Sequence, residues 1–386
     1  MGRTLFAAII VGGLVLSSVC FGYSGGSGTA EDPYQIATKA DLLALAATTA
    51  DYGKCFILTA DIDLDPNLPG NRIFTTAVIA ADIDNSNSEF DGTLFTGVLD
   101  GAGHKIINLT INTNGGGNSY LGLFGDVAGG EIKNLGLENV SITGGDDSYS
   151  LGGLAGDNAG TINNCFSIGT VAGGYYCGGL TGGNNGDVDN CYSTGAVNGL
   201  SDYVGGLVGY NSNNITNCYS TGAVSGTSYV GGLVGYNEGS ISNCYATGAV
   251  SDTSNVGGLV GWNDGSTVGS FWDVNTSGQT TSAGGTGKTT AEMKTKSTFT
   301  DAGWDFMTIW AICEGTNYPR LTWQIPAADW VCPDGVNMED LSYFVQRWLE
   351  SDCASSHNCD GADMNGSGAV DFADFAIFAQ HWLQQD

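Results

Sequence analysis

Gly231-Gly-Leu-Val-Gly-Tyr-Asn-Glu-Gly-Ser-Ile-Ser-Asn-Cys-Tyr-Ala-Thr-Gly-Ala-Val250 is one copy of a unit that repeats through the middle of the chain. The leucine of its Gly-Gly-Leu recurs at Leu154, Leu180, Leu207, Leu233 and Leu259, a step of 26 or 27 residues. A second apolar column, Ile162, Val188, Ile215, Ile241 and Val268, keeps the same step, as does a third, Val171, Val197, Val224 and Val250. Fixed-period self-similarity of this length signals a repeat architecture. The unit holds no run of Ala, Leu, Glu or Lys long enough for a helix, and Gly and Asn punctuate it as corners do. Three apolar points per repeat therefore predict three short strands per turn. A leucine-rich repeat has a similar period but needs a strand and a helical stretch with another leucine spacing. The expected fold is mainly β: a right-handed parallel β-helix, regular over 151–275, within a domain spanning 23–325.

In such a coil each turn stacks about 4.8 Å on the last, so equivalent residues form ladders. Cys165, Cys191, Cys218 and Cys244 form one, read as buried free thiols, with Cys177 replacing a valine of another column. Asn158, Asn184, Asn211, Asn237 and Asn263 form a second, and Asn164, Asn190, Asn217 and Asn243 a third. Asn tolerates left-handed corners and stacks its amide between rungs. Residues beside inward cysteines should face outward, which exposes Phe166, Tyr192, Tyr219, Tyr245 and Trp272. Tyr210, Tyr236 and Trp262 form another aromatic column. Stacked rings on an uncharged surface suit the apolar faces of sugars, which makes both columns candidate polysaccharide-binding surfaces. Thr38–Ala50 has helical propensity and is expected to cap the first turn; Thr289–Trp323 leaves the period and is expected to cap the last.

Gly-Gly-Leu-Val-Gly-Tyr-Asn followed by Asn-Cys-Tyr-Ser-Thr-Gly-Ala-Val resembles the GLUG motif of secreted and surface bacterial proteins. The resemblance covers residues 151–275 and implies a β-helical surface or adhesin-like region, of a kind also attached to some bacterial immunoglobulin A proteases.

Beyond Ile325-Pro326 the composition changes and a period of 34 appears. Asp340, Leu341, Phe344, Gln346, Trp348 and Leu349 correspond to Asp374, Phe375, Phe378, Gln380, Trp382 and Leu383. Two loop–helix units follow, each helix carrying Phe and Trp four residues apart on one face. The second loop, Asp363 to Asp374, has the ligand pattern of a twelve-residue calcium loop. Asp363, Asn365, Ser367, Asp371 and Asp374 stand at positions 1, 3, 5, 9 and 12, Gly368 at 6, and the Ala369 carbonyl at 7. In the first loop, counted from Asp329, positions 3 and 5 are Val331 and Pro333. It is degenerate unless Asp334, Asn337 and Asp340 re-register. Residues 329–386 resemble a type I dockerin, a small all-α calcium module joined here through 326–328. The resemblance implies Ca2+-dependent folding and docking onto a cohesin-like partner. Positions 10 and 11 hold Met338-Glu339 and Phe372-Ala373. Among Cys332, Cys353 and Cys359, a disulfide between Cys353 and Cys359, or from Cys332 to either, is open.

Forty Asp and Glu against 11 Lys and Arg give a net charge of −29. Such a surface repels phosphates and anionic lipid, arguing against nucleic acid and membrane-surface partners. Residues 1–22, with Arg3, the apolar run Leu5–Val19 and small residues at Cys20 and Gly22, read as a signal peptide. The mature chain is expected to be secreted or at the cell surface, without membrane insertion. From Asn134 through Gly287 there is no Lys, Arg or His, so the repeats offer no cationic base. Asp187 with Asp189, and His104 with Lys105, read as turn residues. No nucleophile, metalloprotease or phosphate-loop motif occurs, and no catalytic residue is assigned. The expected function is a non-catalytic surface, adhesion or polysaccharide-associated protein with a calcium-binding docking module. The alternatives are a glycoside hydrolase on a β-helix and a structural spacer.

Overall fold

A computed structural model describes residues 22–251, 254–353 and 357–382. The expected signal peptide lies outside them apart from Gly22. From Tyr34 to Asn263 the chain winds as a parallel β-solenoid of about nine turns with coils of about 26 residues. The first, 13-stranded sheet stacks nine of its strands in sequence order, from Tyr34–Ile36 through Phe124–Lys133 to Val260–Asn263. A second sheet runs from Ile62–Asp63 through Tyr245–Ala246 to Thr286–Lys288, and a third, five-stranded one completes the middle coils. All pairings within these sheets are parallel; most hold register throughout, as with Val208↔Val234↔Val260, while two shift by one residue, between Ala159 and Thr161 and between Ser167 and Gly169.

The leucine column is wholly buried, as are Ile162, Ile215 and Ile241, and each such side chain contributes roughly 1.5–3 kcal/mol. The thiols of Cys165, Cys191, Cys218 and Cys244 are free and buried. Each of the last three accepts the preceding rung's cysteine N–H at 3.3–3.4 Å. Asn158, Asn184, Asn211, Asn237 and Asn263 pass Nδ2–H to Oδ1 from rung to rung at 2.6–2.8 Å. Asn164, Asn190, Asn217 and Asn243 all hold φ of 50–53°. Both columns are the corner amides expected from their spacing.

The last coil slips by one residue against its reading in the sequence. Thr267, not Val268, follows Ile241, and Phe271, not Trp272, follows Tyr245. Val268 is exposed, and Trp272 turns inward behind Ala246 to plug the end of the core. At the other end, α1 (Lys39–Ala47) covers the first turn, its start fixed by a capping box between Thr38 and Asp41. Helices α2 (Thr290–Met293) and α3 (Lys296–Thr300) begin a segment that folds back over the second sheet. Helices α4 (Met338–Gln346) and α5 (Phe372–His381) follow, packed through Trp330, Phe344 and Phe378. Ala328, in the expected linker, is buried against Val336 and Phe378.

Candidate functional site

Two ladders of rings run along the solenoid. In the first, Phe166, Tyr192, Tyr219 and Tyr245 stack face to face at 4.9–5.0 Å, with planes within 11°. They leave the coil as alternation requires but are largely covered, Phe166 and Tyr192 keeping an edge on a cleft beside Lys105 and Trp323. Met293, Phe299, Trp304, Trp310 and Leu321 close over them, and Tyr245 donates its hydroxyl to the Pro319 carbonyl at 2.6 Å. Tyr192, Tyr219 and Tyr245 are 9%, 5% and 1% exposed, so the open surface expected of this column is replaced by a second hydrophobic core. Trp272 leaves the column through the one-residue slip.

The second ladder is a double one on another corner. Tyr176, Tyr203 and Tyr229 stack at 4.9 and 5.1 Å. Tyr210, Tyr236 and Trp262 stand beside them edge to face, as in Tyr203–Tyr236 at 5.4 Å and Tyr229–Trp262 at 5.9 Å. Nothing covers this corner among the described residues; Trp262 is 41% exposed and the tyrosines half-buried. Tyr210 donates to Glu238 at 2.7 Å and Tyr236 to Asp264 at 2.6 Å. Burial, then the Glu238 hydrogen bond, push Tyr210 up to about 12; the bond to Asp264 raises Tyr236. The hydroxyls thus stay protonated and oriented, while the carboxylates keep spare lone pairs toward solvent. Ring faces beside fixed acceptors match a polymer with apolar faces and hydroxyl edges.

Tyr176, Tyr203 and Tyr229 hold φ of 54°, 66° and 55°. A bulky residue there is an outlier costing about 1–2 kcal/mol. The other left-handed corner is filled by Asn164, Asn190, Asn217 and Asn243, the cheaper choice, so the Tyr corner carries strain that corner geometry alone does not demand.

In the helix pair, Asp363 accepts N–H from Ser367 at 2.9 Å and Gly368 at 2.8 Å. Asp374 accepts from Asn365 at 3.1 Å and Asp371 at 2.8 Å. Gly368 has φ 96°, a turn only glycine makes easily. Asp371 caps α5 through the Ala373 N–H, and Ser367 donates to the Ala369 carbonyl. The loop brings hard oxygen donors to the spacing of a calcium loop, although among the described residues no three His, Cys, Asp or Glu converge as a metal cage. The donor set fits Ca2+ only with Asn365, Ser367 and a carbonyl completing it. The first loop repeats this scaffold: Asp340 accepts from Trp330, Val331 and Asn337. Its position 4, however, is Cys332, bonded to Cys313 of the covering segment. The Pro333 carbonyl at position 5 accepts from Asn317 and Arg320, and Asn337 is spent on Asp334 and Glu339. The first loop is thus stapled to the covering segment. Cys353 and Cys359 form the other disulfide.

Residues 201–225 and 226–251 match the model of the GLUG motif. The chain is a GLUG-motif β-helix repeat protein. Over 149 residues, 38% of its length, it is 37% identical to halomucin of Haloquadratum walsbyi, covering 2% of that protein. Over 147 residues it is 35% identical to a provisionally assigned Gly-rich membrane protein of Evansella cellulosilytica, covering 37% of the chain and 15% of the relative. A solved Bacteroides ovatus chain, provisionally assigned as an immunoglobulin A1 protease, shares the fold with a TM-score of 0.55 and 21% identity, over 78% of this chain and 95% of that one. No helix among the described residues is long and apolar enough to cross a membrane.

The sequence reading of the GLUG coils missed Tyr176, Tyr203 and Tyr229, although their step of 26 or 27 residues is visible in the sequence. His104 sits against Asp61 at 3.1 Å; Asp187 and Asp189 accept from Asn214 and Asn217.

Proposed function

We propose that this GLUG protein is an exported, polysaccharide-associated surface or adhesion protein that holds a neutral glycan along the open aromatic corner. The observation carrying this reading is the double ladder of Tyr176, Tyr203, Tyr229, Tyr210, Tyr236 and Trp262, strained and left uncovered. The rung repeat is close to the length of one pyranose unit, so successive sugars would meet equivalent rings. A net charge of −29 favours neutral over acidic polymers. The test is affinity electrophoresis in hydroxyethylcellulose, xyloglucan and galactomannan gels. Retardation by one of them, lost in Tyr236→Ala with Trp262→Ala, is expected; equal mobility of wild type and variant in all three would reject the corner.

The helix pair, in this reading, is a dockerin-like module on a right-handed coil. Asp363, Asn365, Ser367, Asp371, Asp374 and the Ala369 carbonyl would hold Ca2+, whose role is to cross-link the loop. Met338 and Phe372, at position 10 of the two loops and 67% and 77% exposed, would face a cohesin-like partner. Calcium at 100 times its dissociation constant should stabilise the module by about 2.7 kcal/mol, and Asp363→Asn should abolish that shift. Identical melting in calcium and in chelator would remove the site.

A further inference from the structure

The open column does not end at Tyr210. In strict register, Trp262, Tyr236 and Tyr210 are followed on successive rungs by Gly183, Asp157 and Asp126. The neighbouring column passes from Tyr176 through Ser150 to Tyr120, with φ still between 52° and 56°. Ser150 and Gly183 carry no ring, so the ladder is interrupted between Tyr176 and Tyr120, and the two carboxyl groups stand at the interruption. Asp157 leans toward the rings: a Cβ at Gly183 would lie 2.5 Å from its Oδ1. Beyond Tyr120 the segment 82–91 forms an end wall, with Phe90 packed edge-on at 5.2 Å and the Tyr120 hydroxyl donating to the Ser88 carbonyl.

The two carboxyl groups differ. Asp157 accepts from the Asn158 N–H at 3.0 Å and from Asn185 Nδ2 at 3.1 and 3.2 Å, donors that favour its ionised form against the burial that raises it. Asp126 Oδ1 is sealed from solvent with no hydrogen-bond partner among the described residues. Burial, then the Asp157 charge, push Asp126 up to about 7. Asp82 is 3% exposed; its Oδ1 accepts from the Asp91 N–H at 3.0 Å, while its Oδ2 is buried without a partner. Burial and the charges of Asp157, Asp126, Asp82 and Glu89 push Tyr120 up to about 12, so these groups share one field. Buried carboxyl oxygens without partners are rare in folded proteins and call for a reason, and paired carboxyl groups with unlike environments are the pattern of acid–base chemistry.

We propose that Asp126 and Asp157 are an acid–base pair that hydrolyses a glycosidic bond of the neutral polysaccharide lying on the aromatic corner. The inference rests on the corner being a glycan platform. The Asp126 carboxyl gives its proton to the glycosidic oxygen as the bond from that oxygen to the anomeric carbon breaks. Water adds to the anomeric carbon, its oxygen forming the new bond and its proton passing to the Asp157 carboxylate. Solvent exchange returns the proton to Asp126, and no oxidant or reductant enters. Tyr176 and Tyr120, flanking the gap, would hold the sugars on either side of the broken bond.

The experiment measures new reducing ends and gel retardation together, for the full protein on hydroxyethylcellulose, xyloglucan and galactomannan. Wild type should cleave a polymer that retards it, with activity falling about tenfold per pH unit above about 7 as Asp126 loses its proton. Asp126→Asn and Asp157→Asn should lose at least about 100-fold in cleavage yet remain retarded. Retardation without new reducing ends, or cleavage undiminished in both variants, would overturn the pair while leaving the platform standing. Absence of both signals on all three polymers would overturn platform and pair together. Melting supplies a readout independent of substrate. With its proton affinity raised in the folded state, Asp126 makes wild type less stable as pH rises from about 4 to about 7. Asp126→Asn should therefore melt higher than wild type at pH 8 and close to it at pH 4. An equal difference at both would remove the proton affinity assigned to Asp126.

Discussion

The covered ladder and the open one are built from the same parts and meet different fates. Tyr192–Tyr219–Tyr245 and Tyr176–Tyr203–Tyr229 both stack at about 5 Å with nearly parallel planes, and both project from the coil. The first became a core because the segment from α2 to Leu321 folds back on it, bringing Phe299, Trp304 and Trp310. The second stays open, in a left-handed backbone, beside Tyr210 and Tyr236, whose hydroxyls are tied to acids. Stacking alone therefore says nothing about function; what lies over the stack decides between cohesion and recognition. Covered rings contribute their whole apolar area to folding, whereas open rings retain theirs for a ligand.

The sharpest break between the two is energetic. Tyr245→Ala removes a fully buried ring and its hydrogen bond to Pro319, and should cost about 3–5 kcal/mol in chemical denaturation. Tyr236→Ala, on the open ladder, should cost less than about 1.5 kcal/mol. Equal costs would mean that the open corner is structural. A smaller effect tests what keeps the first ladder covered. The Cys313–Cys332 disulfide closes a loop across 19 residues of sequence and ties the covering segment to the first, degenerate loop. Replacing both cysteines with Ser should lower stability by about 3 kcal/mol and raise tryptophan quenching by acrylamide as Trp304 and Trp310 loosen. Unchanged quenching would show that packing alone holds the cover.

Much of this was legible in the residues, and the misses have physical causes. The periodic columns fixed the solenoid, the buried cysteines and both asparagine ladders, because an in-register coil repeats each environment every 26 or 27 residues. Alternation also set the direction of Tyr192, Tyr219 and Tyr245. It could not reveal their cover, since Trp304 and Trp310 arrive from outside the period. Trp272 and Val268 were misplaced because a tryptophan and a valine one residue past the register outweighed the strict steps from Tyr245 to Phe271 and from Ile241 to Thr267. Asp126 and Asp157 were hidden by a 31-residue coil between them, longer than those that follow. Yet Asp157 precedes Asn158 as Gly183, Tyr210, Tyr236 and Trp262 precede their own asparagines, so the column was written beside the amide ladder. Cys313 lay on the far side of a compositional boundary, and the three cysteines after it left one without a mate.

The smallest expected change in stability is also the most discriminating between the two left-handed corners. Tyr229→Asn would give the open corner the residue that the other one uses at Asn243. The substitution relieves about 1 kcal/mol of left-handed strain and loses ring contacts to Tyr203 and Trp262 worth a similar amount. The two terms nearly cancel, so melting should move by no more than about 1 kcal/mol equivalent, while retardation by the polymer that binds wild type should be lost or sharply reduced. Such a result would mean that tyrosine is held in a costly conformation for recognition and not for folding. A clear loss of stability with unchanged retardation would invert the comparison and make the open ladder a second piece of architecture, uncovered only because it needs no cover.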